Sequence, residues 1–434
     1  MGRYGYNENF LMKGCRKQHI PHTALKLLLF FVCFFTISFV AQAQQFDILI
    51  KNGHVIDPRN HIDLQMDVAV KDGKIAKVSK NIPSSESKKV IDADGLYVTP
   101  GLIDIHTHVF VGSNAGFADG SSSVKPDDFT LRSGVTTVVD AGTSGWRNFD
   151  IFKKQVIDRS KTRILVFLNA FGEGMIQGPG SENVDDMSSQ MALEMIKRYP
   201  DIIAGICVGH YAGGEWTPFE RAEEMARLSN TPLFVECHLK NLSLEGQLSR
   251  MRPGDILTHC FEKVTERTPV VDEQTGKVQP YVLEAEKRGI LFDLGHGGAG
   301  FWFSQAIPAL KGGLLPNSFG SDMHHNSVNG AMQDMLNSMS KFLNMGMTLQ
   351  DVVLRGTWKP AVSIKREDLG NLTVGSVADV SILRVRKGEF GFVDCGNYKI
   401  NGDRKLEAEM TIRGGEILWD RNGIGAKQYE LSKN

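Results

Sequence analysis

The chain has few cysteines, no excess of either charge and a single long apolar run. Six cysteines among 434 residues are too few for a disulfide scaffold. Lysine and arginine number 49 against 50 aspartates and glutamates, a net charge of −1, and no basic block lies in the body of the chain. That excludes a nucleic-acid binder working through a basic patch. Hydrophobic residues make up 41% and charged residues 23%, which rules out a disordered, collagen-like or coiled-coil chain. The length suffices for one large core or two smaller ones.

The apolar run lies at the N-terminus. Residues 1–26 are polar and basic, and residues 27–41 read LLLFFVCFFTISFVA without a charge. Ala41-Gln42-Ala43 follows as a small-x-small cleavage site. This order is that of a secretory signal peptide over residues 1–43. The run is shorter than the roughly 20 residues a membrane span needs, so an uncleaved anchor is the weaker alternative. The leading polar stretch is long, and Met12 is an alternative start. Cleavage removes five basic residues and one acid and leaves 44 basic against 49 acidic residues. The expectation is an exported chain, periplasmic or secreted, without a stable membrane anchor. Cys207, Cys237, Cys260 and Cys395 remain, enough for one disulfide of undetermined pairing.

Residues 46–98 alternate apolar and polar in short runs, with Asn52-Gly53 and Asp72-Gly73 as expected turns. The same texture returns in DVSILRV (379–385) and MTIRGGEILWD (410–420). Each piece is too small for its own core, so the two are expected to pack together as a small β-sandwich. Its parts are residues 44–99 and 369–434. Between them, over 100–368, eight apolar runs alternate with helical stretches: 102–108, 135–142, 163–172, 202–209, 232–239, 255–261, 290–297 and 318–325. Runs apolar on both faces suit a buried parallel sheet. Eight strand-plus-helix units suit an α/β fold of the (β/α)8 TIM-barrel type. A doubly wound sheet is the runner-up, but no Gly-rich phosphate turn follows the first strand.

Eight of the 12 histidines fall at or near the C-terminal ends of these runs: His106, His108, His210, His238, His259, His296, His324 and His325. Active sites of such barrels are built at that end. One such histidine is usually a packed core residue; eight are hard to attribute to packing. His106 and His108 are two residues apart on the first strand and so face the same side. An isolated H-x-H is a weak signal, but this one ends an apolar strand that follows Pro100-Gly101. Thr258-His259-Cys260 ends the sixth run and Ser321-Asp322-Met323-His324 the eighth. One His and one Asp added to the pair make a set able to hold a divalent metal such as zinc and activate water. Taken alone, Asp322 reads as a helix N-cap.

The segments PGLIDIHTHVF (100–110), RPGDILTHCF (252–261), RGILFDLGHGGAGF (288–301), MSKFLNMGM (339–347), TWKPA (357–361) and LGNLTVGSVADVSIL (369–383) resemble the amidohydrolase superfamily. Within it they are similar to the deacetylase group often labelled dihydroorotase-like or adenine-deaminase-like. The resemblance covers nearly all of the chain after the leader. It implies the same barrel and sandwich, with one or two divalent metal ions, zinc foremost. It places His106 and His108 on one metal, His259 on a second, and Asp322 as ligand and proton shuttle. It also implies a carboxylated lysine at the end of strand four and a histidine at the end of strand five.

The sequence departs at both positions. Strand four carries Cys207 and strand five Glu236. Glu236 restores the negative charge that a lysine carbamate would supply. The expectation is that Glu236 is a ligand and a candidate bridge, assisted by His238 on the same face. A Cys207 thiolate bridge is the second reading, since zinc accepts thiolate, and loss of the second metal is the third. Asn169, His296 and His324 are candidate substrate contacts, and His210 and His325 stand at the rim without a role. The Gly295–Gly300 run resembles the family's strand-seven loop, and Asp140 and Asp293 read as structural.

The resemblance implies a hydrolase of C–N bonds in small amides that works through a metal-activated water. N-acyl amino-acid deacetylation is the first choice, and cyclic amides and amidine deamination are the alternatives. The rival from another class is an exported metal- or ligand-binding protein without turnover. A small-molecule substrate is the expected partner; homo-oligomers are common among barrel hydrolases, though no motif here specifies one.

Overall fold

A computed structural model describes residues 44–429, except 113–122, 176–182, 212, 237–239, 264 and 266. The leader and His238 therefore lie outside the described residues. Five strands come first: β1 (Phe46–Asp57), β2 (Ile62–Lys71), β3 (Lys74–Ser79), β4 (Ser87–Asp92) and β5 (Tyr97–Pro100). Asp72 and Gly73 join β2 to β3 with φ of 49° and 73°, the double left-handed geometry of a tight hairpin. Asn52-Gly53 is not the turn its sequence promised. It lies within β1 as a bulge, where the pairing with β2 shifts register. A Cβ on Gly53 would sit 2.4 Å from Val98 Cγ2, so close packing is what requires glycine there.

Seven parallel strands follow: β6 (Leu102–Thr107), β7 (Val135–Gly145), β8 (Arg163–Asn169), β9 (Ile203–Gly209), β10 (Leu233–Glu236), β11 (Ile256–Leu257) and β12 (Leu291–Phe292). They lie side by side in sequence order. Helices such as Ser189–Arg198, Thr217–Leu228 and Pro280–Lys287 separate successive strands. Sequential neighbours joined by crossover helices are the usual way to build a buried parallel sheet. All eleven residues of β7 are buried, which explains its unbroken apolar and Thr-rich run.

The eighth expected strand is an irregular segment. Residues 318–323 form only single parallel bridges, Ser318 to Asp293 on one side and Met323 to Thr107 on the other. Side chains add to a partial backbone ladder, in which His296 N–H donates to Gly320 O at 3.1 Å and His108 N–H to Met323 O at 2.9 Å. Gly320 N–H donates to Asp293 Oδ1 at 2.9 Å, and Ser321 N–H to Asp104 Oδ1 at 2.9 Å. Asp322 then turns the chain with φ of 50°. The segment thus touches both edges of the parallel sheet without joining it as a regular strand.

The last strands are β13 (Val380–Val393), β14 (Lys399–Arg413) and β15 (Glu416–Asp420). β13 pairs antiparallel with β5, Val98 opposite Ile382, so both chain ends form one eight-stranded sheet that branches at β1. Val55, Val98, Val380, Ile382 and Ile412 share its apolar layer. The β13–β14 hairpin runs further than its apolar residues indicated, since RKGE breaks the alternation. Its extension lies on the helix Met335–Asn344, where Leu406 N–H donates to Ser340 Oγ at 2.9 Å. That helix buries Phe342 against Phe261, Phe301 and Phe319, with ring centroids 6.1, 5.8 and 4.9 Å away. Phe342→Ala should cost about 3–5 kcal/mol, read as a lowered midpoint in urea unfolding; a loss under about 1 kcal/mol would contradict this account of the core.

Candidate metal centre

The site gathers at the C-terminal ends of the parallel strands. His106 is on β6 and His108 just beyond it; Glu236 ends β10; His259 follows β11; Asp322 lies on the irregular segment. His106, His108, Glu236 and Asp322 are buried, and each brings one ligand atom within 4.8 Å of the others'. His106 Nε2 lies 3.5 Å from Glu236 Oε1 and 3.7 Å from Asp322 Oδ1, and His108 Nε2 lies 3.2 Å from Asp322 Oδ1. His259 Nε2 is 3.3 Å from Glu236 Oε1. His210, His259 and Asp322 are left-handed, with φ of 55°, 55° and 50°. For non-glycine residues this strain costs on the order of 1–3 kcal/mol each and clusters at functional sites.

The outer partners set the tautomers. Thr258 Oγ1 donates to Asp293 Oδ2 at 2.7 Å, so it accepts from His106 Nδ1 at 2.8 Å. His259 Nδ1 donates to the Gly295 carbonyl at 2.7 Å. Thr143, backed by Asp140, lies 3.0 Å from His108 Nδ1. With each Nδ1 engaged outward, the Nε2 lone pairs turn inward, toward carboxylates. Lone pairs facing carboxylate oxygens call for a cation between them. Two buried atoms here, His106 Nε2 and Glu236 Oε2, have no hydrogen-bond partner among the described residues. The donor set of imidazole and carboxylate is that of a divalent ion of the zinc type. The residues fit the metal that the sequence implies.

Electrostatics agree. Burial disfavours the Glu236 carboxylate, but His210, His106 and His259 outweigh it and hold its pKa well below the usual range. Burial likewise opposes charge on His106, yet Asp322, Asp293 and Glu236 drive its pKa well above that of free imidazole. Both shifts mark a place where buried carboxylates demand positive charge beside them. Behind them burial raises the Asp104 carboxyl to about 7 and Asp140 to about 6.

Other candidates fall elsewhere. Cys207 does not join the ligand group: its thiol donates to the Ala141 carbonyl at 3.7 Å and packs in an apolar layer with Phe167 and Phe234. Gly142 leaves it room, since a Cβ there would lie 2.7 Å from Cys207 Sγ. Asn169 is buried and bonds to Gly142 O and Phe171 N, so its amide braces backbone. His296 is buried too, stacked on Phe301 at 4.8 Å, with Nε2 2.6 Å from Lys341 Nζ. His324 does border a cavity of about 240 Å³, with His108, His210, Glu236, His259, Gly298–Gly300, Asp322 and Asn326. His210, assigned no role from sequence, places Nε2 3.1 Å from Glu236 Oε1. Its signal was its position three residues beyond Cys207. Lys341 went unread in its helix; it is fully buried and also donates to Ala331 O and Val393 O.

No family model matches the chain. Among curated proteins, a deacetylase of Brucella anthropi is 30% identical over 366 residues, 82% of this chain and 89% of that protein. A deacetylase of Agrobacterium fabrum is 30% identical over 80% of this chain and 85% of its own length. The chain belongs to the amidohydrolase superfamily. A crystal structure of an adenine deaminase, 28% identical, superposes with a TM-score of 0.80 over 87% of this chain and all of that one. A dihydroorotase structure, 27% identical, gives 0.75 over 85% and 98%. This amidohydrolase is a metal-dependent enzyme of C–N bonds.

Two predictions test the supports of the amidohydrolase site. Thr258→Val removes the acceptor for His106 Nδ1 and should weaken divalent-metal affinity about 10- to 100-fold in chelator competition; unchanged affinity would sever the link between tautomer and metal. Burial, with no carboxylate touching its amine, lowers Lys341 from 10.5 to about 7. Between those values the unfolded chain binds a proton that the folded chain lacks, so folding stability rises with pH. Against Lys341→Met, the wild type should therefore gain stability from pH 7 to pH 10 in unfolding titrations; a constant difference would contradict the lowered pKa.

Proposed function

We propose that this amidohydrolase hydrolyses small acyl amides, N-acyl amino acids first among them, outside the cytoplasm and with zinc as its metal. The observation that carries the reading is the buried set of His106, His108, Glu236 and Asp322, in which His106 Nε2 and Glu236 Oε2 have no hydrogen-bond partner among the described residues. We read the seven-stranded sheet, with residues 318–323 against both edges, as an eight-unit barrel carrying a sandwich made by the chain ends. The pattern of residues 1–43 supports export, and among the described residues no helix is long and apolar enough to cross a membrane.

The deacetylase reading rests on extent. Curated proteins named deacetylase align over 80–86% of this chain. A dihydroorotase of Clostridioides difficile aligns over 21%, though at 41% identity. A cavity of about 240 Å³ suits a small substrate, since drug-sized ligands occupy roughly 300–1,000 Å³.

A divalent metal held by these residues supplies Lewis-acid polarisation of a carbonyl and lowers the pKa of water. Asp322 takes the proton that the attacking water gives up and returns it to the leaving nitrogen, base first and then acid. His108 and His324, 3.2 and 3.7 Å from its two oxygens, hold that carboxylate in place. Gly298 to Gly300 bring backbone close to the cavity.

Asp322→Asn, assayed at saturating zinc so that the loss of one carboxylate ligand does not empty the site, should lower turnover of an N-acetyl amino acid by about 10²- to 10⁴-fold. The panel should include dihydroorotate and adenine. Turnover of one of those alone would replace the deacetylase reading, and an unchanged rate in Asp322→Asn would overturn the role of Asp322.

A further inference from the structure

We infer that His210 is a ligand of a second metal ion, held with His259 and joined to the first by the Glu236 carboxylate. This deepens the reading above and rests on it. The two departures on strands four and five are then a single exchange. The carboxylate has moved from strand four to strand five, and the imidazole from strand five to strand four.

Three observations carry this. First, Glu236 Oε1 lies 3.1 Å from His210 Nε2, 3.3 Å from His259 Nε2 and 3.5 Å from His106 Nε2. One carboxylate therefore faces imidazoles on both sides of the site. Second, Glu236 is 2% exposed, and its Oε2 has no hydrogen-bond partner among the described residues. A bridging carboxylate uses both oxygens. Third, the strand is shaped for it. A Cβ on Gly209 would meet Glu236 Oε2 at 3.0 Å, so a glycine beside His210 makes room for the carboxylate. His210 then takes a left-handed φ of 55°, as His259 and Asp322 do. Cys207, at the position of the expected lysine, bonds away from the site to Ala141 O. Charge also balances better. Two divalent ions among four neutral imidazoles need carboxylates, and Glu236 and Asp322 provide two negative charges where Glu236 alone could touch both ions.

The test is zinc stoichiometry by elemental mass spectrometry on the purified full chain, stripped with chelator and reloaded. Manganese-loaded protein gives a second readout, an exchange-coupled pair by electron paramagnetic resonance. The wild type should hold two equivalents and show coupled manganese. His210→Ala should hold one equivalent and show an uncoupled ion. Cys207→Ala should keep two. Should His210→Ala fail to fold, His210→Asn serves in its place. One equivalent in the wild type, or two in a folded His210 variant, overturns the proposal and leaves the reading of the first site intact. No metal in the wild type overturns both.

Discussion

The structure turns on a buried negative charge. Glu236 sits 2% exposed at the end of a strand whose every residue is buried, and the imidazoles around it hold its pKa well below the usual carboxylate range. A lone carboxylate in such a place costs several kcal/mol. Imidazoles from three strand ends surround it, His106, His210 and His259. The outward nitrogens of His106 and His259 are engaged by Thr258 and by the Gly295 carbonyl. What remains inside is a ring of lone pairs and carboxylate oxygens, which a divalent cation satisfies better than protons do.

The fold serves that arrangement. A parallel sheet brings all its strand ends to one side, so ligands distant in sequence meet. The irregular segment 318–323 departs from strand geometry because its backbone is held by Asp104 and Asp293. Those two carboxylates also brace β6 and Thr258. The same side chains that break the eighth strand thus orient the first strand's histidine. The helix Met335–Asn344 closes the arrangement from outside, with Phe342 in the core and Lys341 pinned to His296.

Much of this was legible in the sequence, for particular reasons. Seven of the eight apolar runs are strands because buried parallel strands are apolar on both faces. The H-x-H pair was legible because a strand repeats every two residues. The eighth run is a partial ladder in place of a regular strand, since side-chain bonds from Asp104 and Asp293, far away in sequence, also hold its backbone. Asn52-Gly53 was misread because a bulge and a hairpin turn ask for the same residues. Asn169 and His296 were taken for substrate contacts, yet both are spent on backbone and on Lys341, which only tertiary packing reveals. His210 carried a position and no pattern. Its nearness to Glu236 depends on a left-handed turn after β9 that nothing in the residue type announces.

The most direct test of the account is X-ray diffraction on crystals of the zinc-loaded chain, with anomalous data collected at the zinc edge. The account predicts an anomalous peak among His106, His108, Glu236 and Asp322, at about 2.0–2.2 Å from their nitrogen and oxygen atoms. A zinc-loaded crystal with no peak at that position, or with zinc only elsewhere on the chain, would contradict it.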